Sequence, residues 1–254
     1  MIVKKKLTVI QALLLCLFLI CAVYLGKYFY DLNSARQTFD ELRKEVTAKT
    51  PEDASGAYEE QYAEDGVLVQ YDELYQKNND FKGWIKIDGT PVDYPVVKAK
   101  DNDFYLNRDF YKKKQSSGIP FIDYECSDDG LNTIIYAHNM KDGSMFAGLS
   151  KYTDKDFFTS HTVINYDTLT ERGQYEIFSV FKTTVGSKNE FKYYDYANIT
   201  NEERYNEYIS KVKALSMQKS DITPVFGERL LTLSTCAYNT QNERLVVVAR
   251  KKNI

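Results

Sequence analysis

The amino-acid sequence predicts a mainly β domain behind an apolar N-terminal helix, and three observations carry that prediction. Segments rich in β-branched and aromatic residues recur through the C-terminal half, at 132–136, 162–166, 174–184, 229–235 and 244–248, the texture of strands. A run from Leu7 to Leu25 is apolar apart from Thr8 and Gln11. About 180 residues follow Tyr71, ample for one hydrophobic core.

The apolar run comes first in the chain. Lys4, Lys5 and Lys6 precede it, and as a helix it spans roughly 28 Å, the thickness of a bilayer's hydrocarbon core. It reads as a membrane span. A cleaved signal peptide is the alternative, but no small-x-small site follows, and Leu15 and Ile20, which precede Cys16 and Cys21, are too large for lipoprotein processing. Only Lys27 lies immediately beyond the span, so the positive-inside tendency puts the N-terminus in the cytoplasm and the bulk of the chain outside. The expected organisation is a cytoplasmic tail (1–6), a transmembrane anchor (7–25), a helical stalk or linker (26–70) and a folded domain (71–254). The stalk is charged and helix-favouring from Lys27 to Gly66, with an interruption at Thr50-Pro51, and a polar helical lead-in precedes Trp84.

Within the domain, the strand-like run from Asn132 ends at His138, where the chain turns into Lys141-Asp142-Gly143 and then a short helical stretch, Met145 to Lys151. Strand ends are where a rigid scaffold presents reactive side chains. The other histidine, His161, opens the strand at Thr162–Tyr166 and reads as a surface or strand-edge residue. After the aromatic strand Gln174–Thr184, the segment Ile199–Ser220 carries Tyr205, Tyr208, Ile209, Val212 and Leu215 at helical spacings. Asn201-Glu202-Glu203 at its start places acid near the positive end of the helix dipole.

The last two strands are Arg229–Thr235 and Arg244–Val248, with polar, turn-forming Ala237–Asn242 between them. A hairpin centred near Thr240 sets Cys236 opposite Arg244, on one face with Cβ atoms about 5 Å apart. A fixed positive charge beside a thiol favours the nucleophilic thiolate and stabilises an oxyanion, and arginine stays protonated. Two readings of the pair stand: a nucleophile station, or a buried structural cysteine beside a surface arginine, since free cysteine is commonly buried. His138 at a strand end favours the first.

Tyr136-Ala137-His138 closing one strand, Thr232-Leu233-Ser234-Thr235-Cys236 about a hundred residues later, and Arg244 on the next strand resemble the sortases. These are the cysteine transpeptidases that attach surface proteins to the cell wall of Gram-positive bacteria. The resemblance covers roughly 83–251 and implies an eight-stranded β-barrel, with catalytic His138, Cys236 and Arg244 at the ends of three strands. The helical insertion before the cysteine strand and the helical lead-in are similar to class B. One departure is Ala237, where some class B members carry an acidic residue. Asp101-Asn102-Asp103-Phe104-Tyr105-Leu106 looks like the class B segment that lines the sorting-signal groove, which nominates Asn102 and Leu106 for substrate binding. Tyr136 and Ser234 flank the catalytic residues at matching positions. Core burial is the other reading of Leu106 and Tyr136, and Asn102 also suits the N-cap of the helix that follows it.

The resemblance implies a membrane-anchored enzyme with 71–254 as its catalytic domain. Its partners are surface proteins bearing a C-terminal sorting signal and a peptidoglycan-precursor or pilin amine as acceptor. The alternatives are an exported cysteine peptidase or a pilin-polymerising sortase. An L,D-transpeptidase places Ser-His-Gly or Thr-His-Gly directly before its cysteine, and a papain-like hydrolase places cysteine before histidine; this chain does neither. No cofactor is expected, since no His/Cys cluster has metal-ligand spacing and no Gly-rich phosphate loop occurs. A net charge of -3 without a basic stripe argues against nucleic acid. Cys126, in the loop Tyr124–Gly130, is expected as a free thiol, because a bridge to Cys236 would consume the nucleophile.

Overall fold

The computed structural model describes residues 9–50, 61–188, 190–236 and 242–252, without the side chains of residues 9 and 236. The Lys4–Lys6 cluster, Pro51 and the turn from Ala237 lie outside those residues. Among them, eight strands close into a barrel in the order β1-β2-β3-β4-β7-β8-β6-β5. The strands are β1 (Phe81–Lys86), β2 (Asp93–Val97), β3 (Phe121–Ile122), β4 (Asn132–Tyr136), β5 (Val163–Thr168), β6 (Gln174–Thr184), β7 (Leu230–Cys236) and β8 (Glu243–Lys251). Pairing of β1 with β5 closes the ring, which leaves no continuous open sheet edge. Where β5 crosses β1, a Cβ on Gly83 would meet the Asp167 carbonyl oxygen at 2.0 Å, so only glycine fits there.

Most neighbours are antiparallel, but β2–β3 and β4–β7 run parallel. A parallel pair needs a long crossover, and β4 reaches β7 only after β5, β6 and the intervening helices. The expected helix in that connection is α4 (Glu202–Leu215; the other helices are α1 to α3, Val9–Lys49, Val69–Lys77 and Lys155–Ser160). It starts three residues later than the apolar spacing suggests, because the Asn201 side chain caps it by accepting from Arg204 N at 2.9 Å. Tyr205, Tyr208, Ile209 and Val212 form its buried face. Thr232 Oγ1 donates its one hydrogen to Asn132 Oδ1 at 2.9 Å, so the 2.7 Å bond to Tyr208 is one in which the tyrosine donates. This chain of bonds ties α4 to β7 and β4, the strands that lead to the reactive end.

The stretch expected to be helical after His138 is a 3-10 helix, Phe146–Thr153, and α3 follows it. His161 does not open β5 but sits at the C-terminal end of α3. Helix α1 runs unbroken for 41 residues. Its first half exposes Ile10, Leu14, Phe18 and Val23 and is long and apolar enough to cross a membrane. Its second half buries Leu32, Ala35, Phe39 and Leu42, a stripe at helical spacing. Phe39 meets Tyr94 of β2 edge-on, with ring centroids 5.0 Å apart. The helix that leaves the apolar segment therefore packs on the barrel wall.

Candidate active site

Strand pairing brings the three candidate catalytic positions together. β4 and β7 run parallel with Tyr136 beside Ser234, and Ala137 N donates to Ser234 O at 3.3 Å. Carrying that register two residues further, just past the end of β4, sets His138 level with Cys236 along the chain. On the other side of β7, Cys236 is paired with Arg244 of β8, the opposition the hairpin reading expects. β7 thus ends between the histidine and the arginine.

The imidazole has a defined proton arrangement. His138 Nε2 lies 2.8 Å from the Leu106 carbonyl oxygen, which only accepts, so Nε2 carries a hydrogen and Nδ1 is the nitrogen left to exchange a proton. Arg244 Nη1 donates to the Glu243 carbonyl at 3.3 Å, and its backbone is held on the other side by Thr183 of β6.

His138 and Arg244 line one cavity of about 560 Å³, together with all four proposed substrate contacts, Asn102, Leu106, Tyr136 and Ser234. Each of the four has a definite setting. Ser234 is buried, with its hydroxyl 2.7 Å from that of Tyr193, so it joins the cavity floor to the 3-10 turn Tyr193–Tyr196 before α4. Leu106 presents its carbonyl to the histidine. Tyr136 donates to Asp123 Oδ2 at 2.7 Å; burial, with Tyr193 and Asp123 alongside, pushes its phenol well above the ordinary value, so it stays a donor. Asn102 does not cap the Phe104–Asn107 turn: Asp101 Oδ1 accepts from Asp103 N and Phe104 N at 2.9 and 2.8 Å. The Asn102 side chain instead reaches across to Tyr124 and Asp123.

Sequence reasoning passed over Asp123, Tyr193 and Tyr194, which also line the cavity. Asp123 follows the apolar run Ile119–Ile122, and an acid at the end of such a run was the available signal. Cys126, in contrast, is 4% exposed and free; Ile134 N donates to its sulfur at 3.3 Å, and burial raises its thiol to about 12. His161 stacks on Phe157 at 4.0 Å, away from the cavity. Among the described residues no three His, Cys, Asp or Glu side chains are grouped to hold a metal ion.

A closed barrel whose cysteine strand ends between a histidine and an arginine defines a cysteine transpeptidase. A sortase-domain family model matches residues 85–252. The chain is 38% identical to sortase B of Listeria monocytogenes over 182 residues, 71% of this chain and 72% of that one. It is 30% identical to sortase B of Staphylococcus aureus over 251 residues, 97% of each. Among solved structures, Bacillus anthracis sortase B in complex with AAEK1 superposes with a TM-score of 0.74 at 35% identity, covering 89% of this chain and 100% of that chain. A Staphylococcus aureus sortase B–substrate complex gives 0.74 at 29% identity, covering 89% and 99%. The chain belongs to the sortase family and is most like its class B members.

Proposed function

We propose that this sortase cleaves a C-terminal sorting signal of surface proteins after threonine and transfers the acyl group to a peptidoglycan amine. The observation that carries the reading is the single cavity in which His138, Arg244, Asn102, Leu106, Tyr136 and Ser234 meet beside the end of the cysteine strand. A cleft with a few convergent polar groups beside a nucleophile suits an extended peptide.

The steps assign one part to each group. The Cys236 thiol passes its proton to His138, the thiolate attacks the threonine carbonyl, and Arg244 offsets charge on the resulting oxyanion. Collapse breaks the peptide bond as His138 gives a proton to the leaving amine, leaving a thioester. An incoming amine attacks that thioester, His138 takes up its proton, and the Cys236 thiolate departs. Acyl transfer is thereby balanced without any cofactor.

Helix α1 supports a placement at the membrane with residues 7–25 as anchor, and Lys4, Lys5 and Lys6 ahead of it favour a cytoplasmic N-terminus with 71–254 outside as the catalytic domain. An anchor shared by enzyme, substrate and lipid-linked acceptor raises their effective concentration. The test uses purified residues 27–254, an internally quenched peptide with an Asn-Pro-Ala-Thr-Asn core, and an amine acceptor. Expected is cleavage after threonine with the amine recovered on the acyl product; cleavage to the free acid alone, at any amine concentration, would favour an exported cysteine peptidase.

A further inference from the structure

Asp123 is a carboxylate only 2% exposed, and its side chain accepts from three neutral donors. Tyr136 Oη lies 2.7 Å and Asn102 Nδ2 3.2 Å from Oδ2, while Glu125 N lies 2.9 Å from Oδ1. Burying a carboxylate is unfavourable unless donors replace its water, and three donors converging on one group make it the acceptor at the centre of the network. Its backbone is fixed as well, since Asp123 N donates to Ile134 O at 2.9 Å.

The consequence falls on Asn102. Its Oδ1 accepts from Tyr124 N at 3.0 Å while its Nδ2 donates to Asp123. A backbone N–H can only donate and a carboxylate can only accept, so one amide orientation satisfies both. A flipped amide would set N–H against N–H and oxygen against oxygen. The second Nδ2–H has neither of these partners, and the residue lines the cavity.

We propose that Asp123 is a positioning residue that locks Asn102 with an amide N–H directed to the bound peptide, so that this wall of the groove selects a hydrogen-bond acceptor on the substrate. The inference rests on the cavity being the sorting-peptide groove. It adds a polarity: a carbonyl oxygen, from backbone or from an amide side chain, is favoured there over a donor.

A charge-swap pair separates positioning from scaffolding. In Asp123→Asn the new amide faces the Asn102 amide, whichever way each turns, and one bond of the network is lost. In Asp123→Asn with Asn102→Asp the bond re-forms with reversed polarity: Asn at 123 donates to the carboxylate at 102, which still accepts from Tyr124 N, and the Tyr136 hydroxyl rotates to accept. The network is then whole, but the group facing the peptide is an acceptor. Binding of a fluorescent Asn-Pro-Ala-Thr-Asn peptide is measured on the full-length chain in detergent, in a Cys236→Ala background so that no step of chemistry intervenes, and thermal unfolding is followed in parallel.

Expected is a Kd raised roughly five- to tenfold in Asp123→Asn, the scale of one net hydrogen bond, with a lower Tm. In the double variant Tm returns and Kd stays raised. Return of both together would show Asp123 to be scaffold only and overturn the proposal, as would a Kd unchanged in Asp123→Asn. Should Asp123→Asn fail to fold, the double variant alone decides by the same criterion. Peptide that binds equally well to every variant overturns this inference and leaves the groove intact; a background protein that binds no peptide overturns the groove as well.

Discussion

The two ends of the barrel open on cavities of nearly equal size, about 560 Å³ where β4 and β7 end and about 540 Å³ where they begin, and a cysteine belongs to each end. At the second, Cys126 is buried and its thiol raised to about 12 by that burial. The nearby Lys98 spends its ammonium on the Cys126 carbonyl and not on the sulfur. Such a thiol is protonated at neutral pH and is no nucleophile. At the first end, Cys236 is the last residue of β7, with Arg244 as its pair and His138 two residues beyond the end of the neighbouring β4. Size and the presence of sulfur are common to both ends; what differs is whether a cation and a proton carrier come to the cysteine on neighbouring strands.

The strongest way to break that comparison is to remove the first cysteine. Cys236→Ala is expected to abolish peptide cleavage with the fold intact, since a strand-end residue loses one small side chain while the thioester route disappears. Cleavage near the wild-type rate with normal thermal unfolding would sink the assignment. His138→Ala comes next, with a fall of at least about a hundredfold, the lower range of what positioned acid–base groups contribute. A rate and pH profile equal to wild type would show that the imidazole held by the Leu106 carbonyl takes no part.

Arg244→Lys sharpens the comparison by keeping the charge and changing its shape. Lysine lacks the planar fork that holds two acceptors at once. Loss of one hydrogen bond to a charged group costs about 1.5 kcal/mol or more, so kcat/KM should drop roughly tenfold or further with circular dichroism unchanged. A lysine variant equal to wild type would reduce Arg244 to a solvated strand residue.

The reactive end was more legible in the sequence than the barrel around it. The opposition of Cys236 and Arg244 follows from two apolar runs and a polar turn, a local pattern of period two, and the observed register agrees. The parallel pairing of β4 with β7 joins segments about a hundred residues apart, and nothing local encodes it. β3 is two residues long, too short for any alternation to show. The helix continues through Gly26, the boundary set by composition between anchor and stalk, because an apolar-to-polar change need not break hydrogen bonding along a helix. Asp123 was invisible as a network centre since two of its donors come from positions 102 and 136. Leu106 illustrates the remaining gap: the contact to His138 uses its carbonyl, which no side-chain pattern reports.

The smallest effect on activity is expected from the far end, and it tests the comparison from its inert side. Residues 27–254 retain two thiols, Cys126 and Cys236. A thiol reagent at pH 8 should modify one equivalent in the native protein, with loss of activity, and the second only on unfolding. Cys126→Ser should leave kcat/KM within about twofold, because the residue lies at the opposite end from His138 and Arg244. Its signature is in stability against pH. The folded thiol is raised from the usual 9.0 to about 12, so the stability tied to the neutral thiol is complete below about pH 9 and is lost as pH rises toward 12, where the unfolded chain releases a proton that the folded chain keeps. Between those limits the wild type should therefore lose stability more steeply than Cys126→Ser in urea titrations at each pH. Equal slopes, together with native labelling of Cys126 as fast as Cys236, would show the two cysteines to be chemically alike and the contrast between the barrel ends to be false.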